Sequence, residues 1–474
     1  MPKLNGDILY LIFQELQDDE KTLYSSCLSV NKIWCEIIIP ILWKDPWKFL
    51  KEGKEKLLLN VIISHLSDES KNNYSSQNIN PFNLFNLFTK SYQKPLFNYI
   101  SFCRHLNLHK IERIIDISFY KKSEIPIIKN EIINLFINEN TKFTHLYIPN
   151  KFEIQIHLIS GAQYCFSELE FLSCNTGMND GILSGLAEIC KSIKELRLFI
   201  KILHNNYDII KLIKAQKKLL KISFLNEIAY AEVSFCEILE NSLINHVKNI
   251  QYIRTTMPLN TKFLSSFINL TRLELSNNFG RYVMTWNCLK KLSLPFLEIL
   301  IAKGISIESL AILANLIENT SGHLIEIRCD IDDHSENDNE RITRAIYQNC
   351  PNLKILKLSF GYKHTEQLKN LLINCLNLEL LHIANATMYW DQLLKILANS
   401  SPPNLFKFKF SKSPISSESL KRFFDLWKGK NLMILQIFSR SKDIENVMKE
   451  YKAKGIVKRY IRDYQYYSDD DDYY

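Results

Sequence analysis

One apolar spacing recurs through most of this chain and restricts what it can fold into: L-x-x-L-x-L, with Ile or Phe substituting. Strong copies fall at Ile193/Leu196/Leu198, Leu219/Ile222/Phe224, Leu270/Leu273/Leu275 and Leu289/Leu292/Leu294, and then at Leu353/Leu356/Leu358, Leu378/Leu381/Ile383, Leu405/Phe408/Phe410 and Leu432/Leu435/Ile437. Weaker copies lie at Leu106/Leu108, Leu146/Ile148, Leu169/Phe171, Ile253 and Leu324/Ile327. The middle positions Leu356, Leu381, Phe408 and Leu435 are 25, 27 and 27 residues apart, within the period of a strand-plus-helix repeat. Helical periodicity fills the gaps, clearest over 183–193, 209–220, 310–317, 342–347, 368–373, 393–397 and 420–427. A short strand followed by a helix, stacked about eleven to thirteen times, predicts an α/β chain: a right-handed solenoid with a parallel inner sheet and outer helices. Residues 225–265 and 295–325 read as irregular, and the asparagine ladder common in such repeats is mostly missing from the pattern.

A different period occupies the N-terminus. Leu4, Ile8, Leu11, Ile12 and Leu16 recur at spacings of three and four, the mark of one helical face. Asn5 can cap that helix, with Asp7 in its positive first turn. Asp18, Asp19 and Glu20 break the pattern before a second helix, where Leu23, Cys27 and Leu28 face inward. Asn31 can cap a third, carrying Ile33, Trp34, Ile37, Ile38, Leu42 and Trp43, which Pro40 should disturb near its end. Three helices in roughly 40 residues make a very small core. Ile8, Leu9, Ile12, Phe13, Trp34 and Trp43 are more apolar bulk than it can bury, so a surplus face must either dock on the rest of the chain or meet a partner.

This segment resembles the F-box, which binds the Skp-type adaptor of cullin–RING ubiquitin ligases. Leu4 matches the motif's opening leucine, Asp7 its acidic position, Ile8-Leu9 its paired apolar position, Ile12-Phe13 its Ile-Phe pair and Leu16 the leucine closing helix one. Val30, Asn31 and Trp34 match the following region loosely, and Pro40 with Leu42-Trp43 matches the closing Pro-x-Leu-Trp. Asn5 stands where the motif has proline. The likeness covers residues 1–45. The repeats are similar to leucine-rich repeats, and Cys190, Cys350 and Cys375, each three residues before the first apolar position of a copy, resemble the cysteine-containing subclass that accompanies F-boxes. The resemblance implies four regions: an F-box-like segment (1–45), a transitional helical linker or cap (46–100), a leucine-rich-repeat solenoid (101–440) and a C-terminal cap with an acidic tail (441–474). It implies adaptor contacts through Leu4, Ile8, Leu9, Ile12, Phe13, Leu16, Trp34, Leu42 and Trp43, and through the adaptor a cullin.

Composition narrows the classes. Only 12 glycines occur, and neither GxGxxG nor GxxxxGK[ST] is present, so phosphate-cradling loops have little to be built from. The net charge of +8 is spread along the chain; the densest basic stretch, Lys214, Lys217, Lys218 and Lys221, reads as a solvated helix face, and no basic–aromatic interleaving points to nucleic acid. The 11 cysteines include no CxxC pair, which argues against structural zinc, and the amphipathic N-terminus lacks a signal-peptide core. Reduced thiols and a cytoplasmic or nuclear location are expected. No run approaches the ~20 apolar residues of a membrane span.

Catalytic patterns are not found: no GxSxG, HExxH or Cys-His signature occurs. His105 and His109 are four apart but separated by Leu106 and Leu108, as in a strand, and read as surface histidines, with no metal implied. The acidic cluster of Asp330, Asp332, Asp333, His334, Glu336 and Asp338 lacks the glycine and closing Glu of an EF-hand and reads as a solvated loop. Ser67–Asn80 reads as a polar loop, 81–103 as an apolar cap, and the acidic, aromatic stretch after Tyr464 as a tail without core pattern. With no catalytic centre or cofactor expected, the chain reads as a substrate receptor that would position a target protein for enzymes supplied by the ligase. The residue between the last two apolar positions of each copy should face the concave side of the sheet: Arg197, Ser223, Glu274, Ser293, Lys357, His382, Lys409 and Gln436, with Arg197, Glu274, Lys357, His382 and Lys409 as candidate target contacts. A repeat scaffold unconnected to ubiquitin is the alternative. A repeat protein acting on nucleic acid or a small GTPase is the third.

Overall fold

The computed structural model describes residues 5–16, 23–67, 95–119, 123, 125–179, 181–201, 204–226, 232–257, 261–277, 286–305, 307–331, 338–360, 365–386, 389–411, 415–427, 430–437 and 441–462. By internal contacts the chain divides into two compact units, Met1–Leu219 and Leu220–Tyr474. Leu4, most of the 67–80 loop and the 81–103 cap, most of the 330–338 acidic cluster, and the tail from Tyr464 lie outside the described residues.

The first unit opens with α1 (Gly6–Glu15). Asn5 caps it, its side chain accepting from the Asp7 N–H at 3.4 Å. The expected second helix is instead a five-residue π-turn, Leu23–Cys27, closed by the Leu28 N–H donating to the Leu23 carbonyl at 3.0 Å. It still turns Leu23 and Cys27 inward. α2 (Lys32–Trp43) starts where Asn31 accepts from the Trp34 N–H at 3.0 Å. Pro40 does not break it. Proline deletes the bond that would end on the Glu36 carbonyl, and residue 36 is exposed, so water can replace the donor. A further helix, α3 (Glu55–Ser64), lies in the region expected to be transitional.

Four strands complete this unit: β1 (His105–Asn107), β2 (His145–Tyr147), β3 (Phe171–Asn175) and β4 (Glu195–Ile200). All pair in parallel, and one apolar column runs straight across them: Leu106, Leu146, Leu172 and Leu196 stand in register. The N-terminal helices are joined directly to this sheet. The Lys44 carbonyl, one residue past α2, accepts from the Arg104 and His105 N–H groups at 2.9 and 3.2 Å, and the Trp47 indole N–H donates to the His105 carbonyl at 2.7 Å.

The second unit holds ten parallel strands: β5 (Lys221–Asn226), β6 (Tyr252–Thr255), β7 (Arg272–Ser276), β8 (Ile299–Ile305), β9 (Glu326–Ile331), β10 (Ile355–Phe360), β11 (Leu380–Ala386), β12 (Lys407–Phe410), β13 (Met433–Ile437) and β14 (Val457–Arg462). Here the column is Ile222, Ile253, Leu273, Leu300, Ile327, Leu356, Leu381, Phe408, Leu435 and Tyr460. Helices between strands bury their expected stripe. On Ser417–Trp427, Leu420, Phe423, Phe424 and Trp427 are buried at helical spacing, and the Phe423 and Trp427 rings pack on Phe408 of β12 at 5.9 and 5.3 Å.

The sequence expectation needs three corrections here. The Leu289/Leu292/Leu294 copy is not a strand: Asn287–Lys291 is a 3-10 turn, and the strand lies further on as β8, in a stretch read as irregular. Ser293 is therefore off the sheet; its hydroxyl donates to the Asn319 carbonyl. A strand, β14, and the helix Lys442–Ala453 before it extend the repeat into the expected cap. An asparagine ladder exists, but at the turns entering five of the described strands. Asn269, Asn352, Asn377, Asn404 and Asn431 donate from Nδ2 to the carbonyls of Lys248, Gly322, Pro351, Leu376 and Pro403 in the turn of the preceding repeat. His323 takes the equivalent position, its Nδ1 2.9 Å from the Pro295 carbonyl.

Cys190, Cys350 and Cys375 sit where helix gives way to strand and are fully buried. Burial pushes each thiol up to about 12, which suits packing and not reaction.

Candidate docking surfaces

Two surfaces remain once the core is assigned. The first is on the N-terminal helices. Leu9, Phe13, Leu23, Cys27, Ile38 and Leu42 form their core, with Leu16 and Trp34 packed partly against it. The Phe13 and Trp34 rings meet edge-to-face at 5.0 Å. Leu9, Phe13 and Leu42, expected on the adaptor-facing side, are thus buried in the free chain, because a three-element unit this small needs its largest side chains for itself. Trp43 is also engaged, 4.6 Å from the Tyr99 ring. The large side chains that α1 leaves outward are Ile8, Tyr10, Leu11 and Ile12, at 47, 46, 61 and 43 % exposure, and near the start of α2 Val30 and Ile33 are exposed at 52 and 50 %. Ile8, Leu11 and Ile12 share one helix face, at spacings of three and four. Leu11 and Ile33 belong to the helix pattern in the sequence but not to the adaptor contacts that the resemblance implies; the excess of apolar residues around both faces of the helices is the signal that points to them.

The second surface is the side of each sheet away from its helices. In the first unit, Arg197 lies over the Phe171 ring at 5.5 Å. In the second, Glu274, Lys357, His382 and Lys409 all stand at the expected register positions and all are engaged by neighbouring groups. Glu274 accepts from the Arg272 Nε at 2.7 Å and lies 3.6 Å from the Arg254 Nε. Lys357 donates to Asp330 on the next strand at 2.8 Å, so Asp330 belongs to this face and not to a solvated loop. His382 Nε2 is 2.8 Å from the Ser411 hydroxyl.

The join between the N-terminal helices and β1 carries a stacked pair of histidines. The His105 and His145 rings stack at 3.9 Å, 6° from parallel. His105 Nδ1 lies 3.1 Å from the Asp45 carboxylate, and His145 Nδ1 is 2.9 Å from the Thr144 hydroxyl. Burial, aided by the neighbouring His105, pulls His145 down to about 4, against the opposing pull of Asp45 and Glu170. The folded unit therefore keeps this ring neutral where the unfolded chain protonates it near 6.5. This contribution to stability is complete above pH 6.5 and is lost as pH falls toward 4, by at most about 1.4 kcal/mol per pH unit. Urea melts of wild type and His145→Asn between pH 7.5 and 4.5 should show the loss in wild type and a flatter profile in the variant. Parallel profiles would rule the pair out as the cause. His109, by contrast, lies on the helix Leu108–Ser118 and not on the strand that carries His105.

No protein-family model and no curated relative matches the sequence. Among solved structures, the chain is similar to a Bacteroides fragilis protein (12 % identity, 57 % of this chain and 66 % of that one, TM-score 0.30). It is also similar to the complex of Rad7 and Elc1 from yeast (12 % identity, 70 % of this chain and 87 % of that one, TM-score 0.36). The chain spans just under two thirds of the Bacteroides protein.

Proposed function

We propose that this chain is an F-box-like receptor of a cullin–RING ubiquitin ligase, working in the cytosol or nucleus. Its N-terminal helices dock on a Skp-type adaptor, and its repeats hold a target protein. The chain itself does no chemistry; it sets the distance and orientation at which the ligase's enzymes meet the target. The observation that carries this reading is the exposed face of Ile8, Leu11 and Ile12 beside a core already complete without them. A helix that served only to cap the repeats would turn that face inward, because exposed contiguous apolar surface is selected for only where something covers it.

The test is co-expression with a Skp-type adaptor and co-purification, comparing wild type with Ile8→Asp, Ile12→Asp. Both side chains are outward, so the double variant should keep its melting temperature. Interface anchors are worth roughly 2 kcal/mol or more each, so capture should weaken by at least about a hundredfold. A wild-type protein that is soluble, monomeric and indifferent to the adaptor would leave the repeat scaffold as the reading.

A further inference from the structure

The first and last strands of the chain are flanked differently. Beside β1, the Lys44 carbonyl accepts from the Arg104 and His105 N–H groups, and the Trp47 indole N–H donates to the His105 carbonyl. β14 has β13 on one side and no described strand on the other. An edge strand turns a row of backbone donors and acceptors outward, and a further extended segment can take them up. This edge is also cationic. Arg459 to Arg462 stand in straight register with Ile434 to Ile437, whereas Lys458 is an extra residue between the pairs Met433–Val457 and Ile434–Arg459. Such a bulge leaves its residue out of the ladder. Lys458 and Arg459 are both exposed, and among the described residues no carboxylate is bonded to either. On the helix before β14, Glu445 and Glu450 hold Lys449 and Lys454 at 3.1 and 2.5 Å. Asp425, on the helix Ser417–Trp427, accepts from the Tyr451 hydroxyl at 2.8 Å.

We infer that the acidic segment after β14, residues 463–474, is what occupies this edge. It lies outside the described residues; its sequence holds five aspartates, Asp463 and Asp469–Asp472, and neither lysine nor arginine. Length suits it. A return of about three to five residues after Arg462 is the ordinary hairpin loop. Each such return sets one of Asp469, Asp470 and Asp471 opposite Arg459 and the following aspartate beside Lys458, so the run meets both cations in every one of these registers. Charge suits it as well. Lysine and arginine on an edge strand deter pairing with most segments, and aspartates within reach turn the same groups into an attraction. Tethering adds an effective concentration on the order of millimolar. A second copy of the chain fits worse, because two β14 edges laid antiparallel set these cations against each other. The segment thereby decides what else can add to the sheet: β14 is open to another protein's strand only when its own tail is displaced.

The test is hydrogen exchange at the backbone amides of β14 in the full chain at low salt, with the amides of β10 as internal reference. In wild type, the β14 amides that do not bond β13 should be protected. Asp469→Asn, Asp470→Asn, Asp471→Asn and Asp472→Asn together should speed their exchange by at least about fivefold, the worth of two cross-strand ion pairs, with β10 and the melting temperature unchanged. Lys458→Asp with Arg459→Asp should do the same. Joined to Asp469→Lys, Asp470→Lys, Asp471→Lys and Asp472→Lys, that pair should regain protection. If the Lys458 and Arg459 variants melt early, the tail asparagines carry the comparison, since they leave every residue of the strand in place, and wild type in about 1 M salt should match them. A labelled peptide of residues 463–474 should bind the asparagine variant and not wild type. Equal exchange of these amides in wild type and the asparagine variant, or a well-folded charge swap that stays unprotected, would overturn the inference. So would protection that rises with protein concentration, which assigns the edge to a second copy, and protection that needs a separate acidic peptide, which assigns it to a partner.

Discussion

Truncating Phe13 to alanine is expected to unfold the N-terminal helices while leaving the repeats standing. Phe13 is 1 % exposed and touches both helices of its unit, through Leu9 on its own helix and Trp34 on α2. Removing a buried phenylalanine costs about 3–5 kcal/mol, the lost transfer energy plus the cavity left behind. A core of this size supplies about the same amount, so the unit has no reserve. Limited proteolysis should cut the variant within residues 5–43 and spare the strands beyond β1, and adaptor capture should vanish with the fold. The contrast with Ile8→Asp, Ile12→Asp separates the two roles of α1: one variant loses capture with its stability intact, the other loses capture because stability is gone. A Phe13→Ala protein as resistant to protease as wild type would show that the N-terminal core is held by something other than Phe13.

The second large effect is predicted for Gln216→Leu. Gln216 follows the helix Asp208–Ala215, three residues before Leu219, the position that Cys190, Cys350 and Cys375 hold in other repeats. It is buried, and its amide bridges two turns of the first unit. Oε1 accepts from the Ile193 N–H at 3.0 Å, while Nε2 donates to the Cys190 and Leu212 carbonyls at 2.9 and 2.8 Å. Leucine keeps the volume and removes every bond. The Ile193 N–H and the Cys190 carbonyl would stay buried without a partner, at about 1–3 kcal/mol each, so a loss of about 3 kcal/mol is expected. Hydrogen exchange reads the cause directly: the Ile193 amide should lose protection in the variant before its neighbours in β4 do. A stability change under about 0.5 kcal/mol with Ile193 still protected would mean that the turn closes by another route.

Why some of this was legible in the sequence follows from how local each signal is. The strand columns were readable at Leu196, Leu356 or Phe408 because one face of each strand is buried and a period of two survives in the residue order. Caps were readable at Asn5 and Asn31 because a side chain two or three residues away satisfies the helix end. The copy at Leu289 misled because Leu289, Leu292 and Leu294 are all buried, yet in a turn: the spacing records burial, not the conformation that achieves it. The asparagine ladder escaped because its acceptors lie 21 to 30 residues away in the previous turn, and no local pattern marks such a bond. Gln216 escaped for the same reason.

The N-terminal face divides along that line. The sequence by itself determined that α1 carries apolar residues on more than one side, and that too many large groups crowd a unit of about 40 residues to share one core. Only the tertiary structure decided which of them go in. Leu9 and Phe13 are buried against Ile38 and Leu42, while Ile8, Leu11 and Ile12 stay out. The choice rests on the packing of α1 against α2 and the Leu23–Cys27 turn, which brings together residues some 25 positions apart. Periodicity can assign residues to a helix face, but which face meets the partner helix is set by contacts distant in the chain.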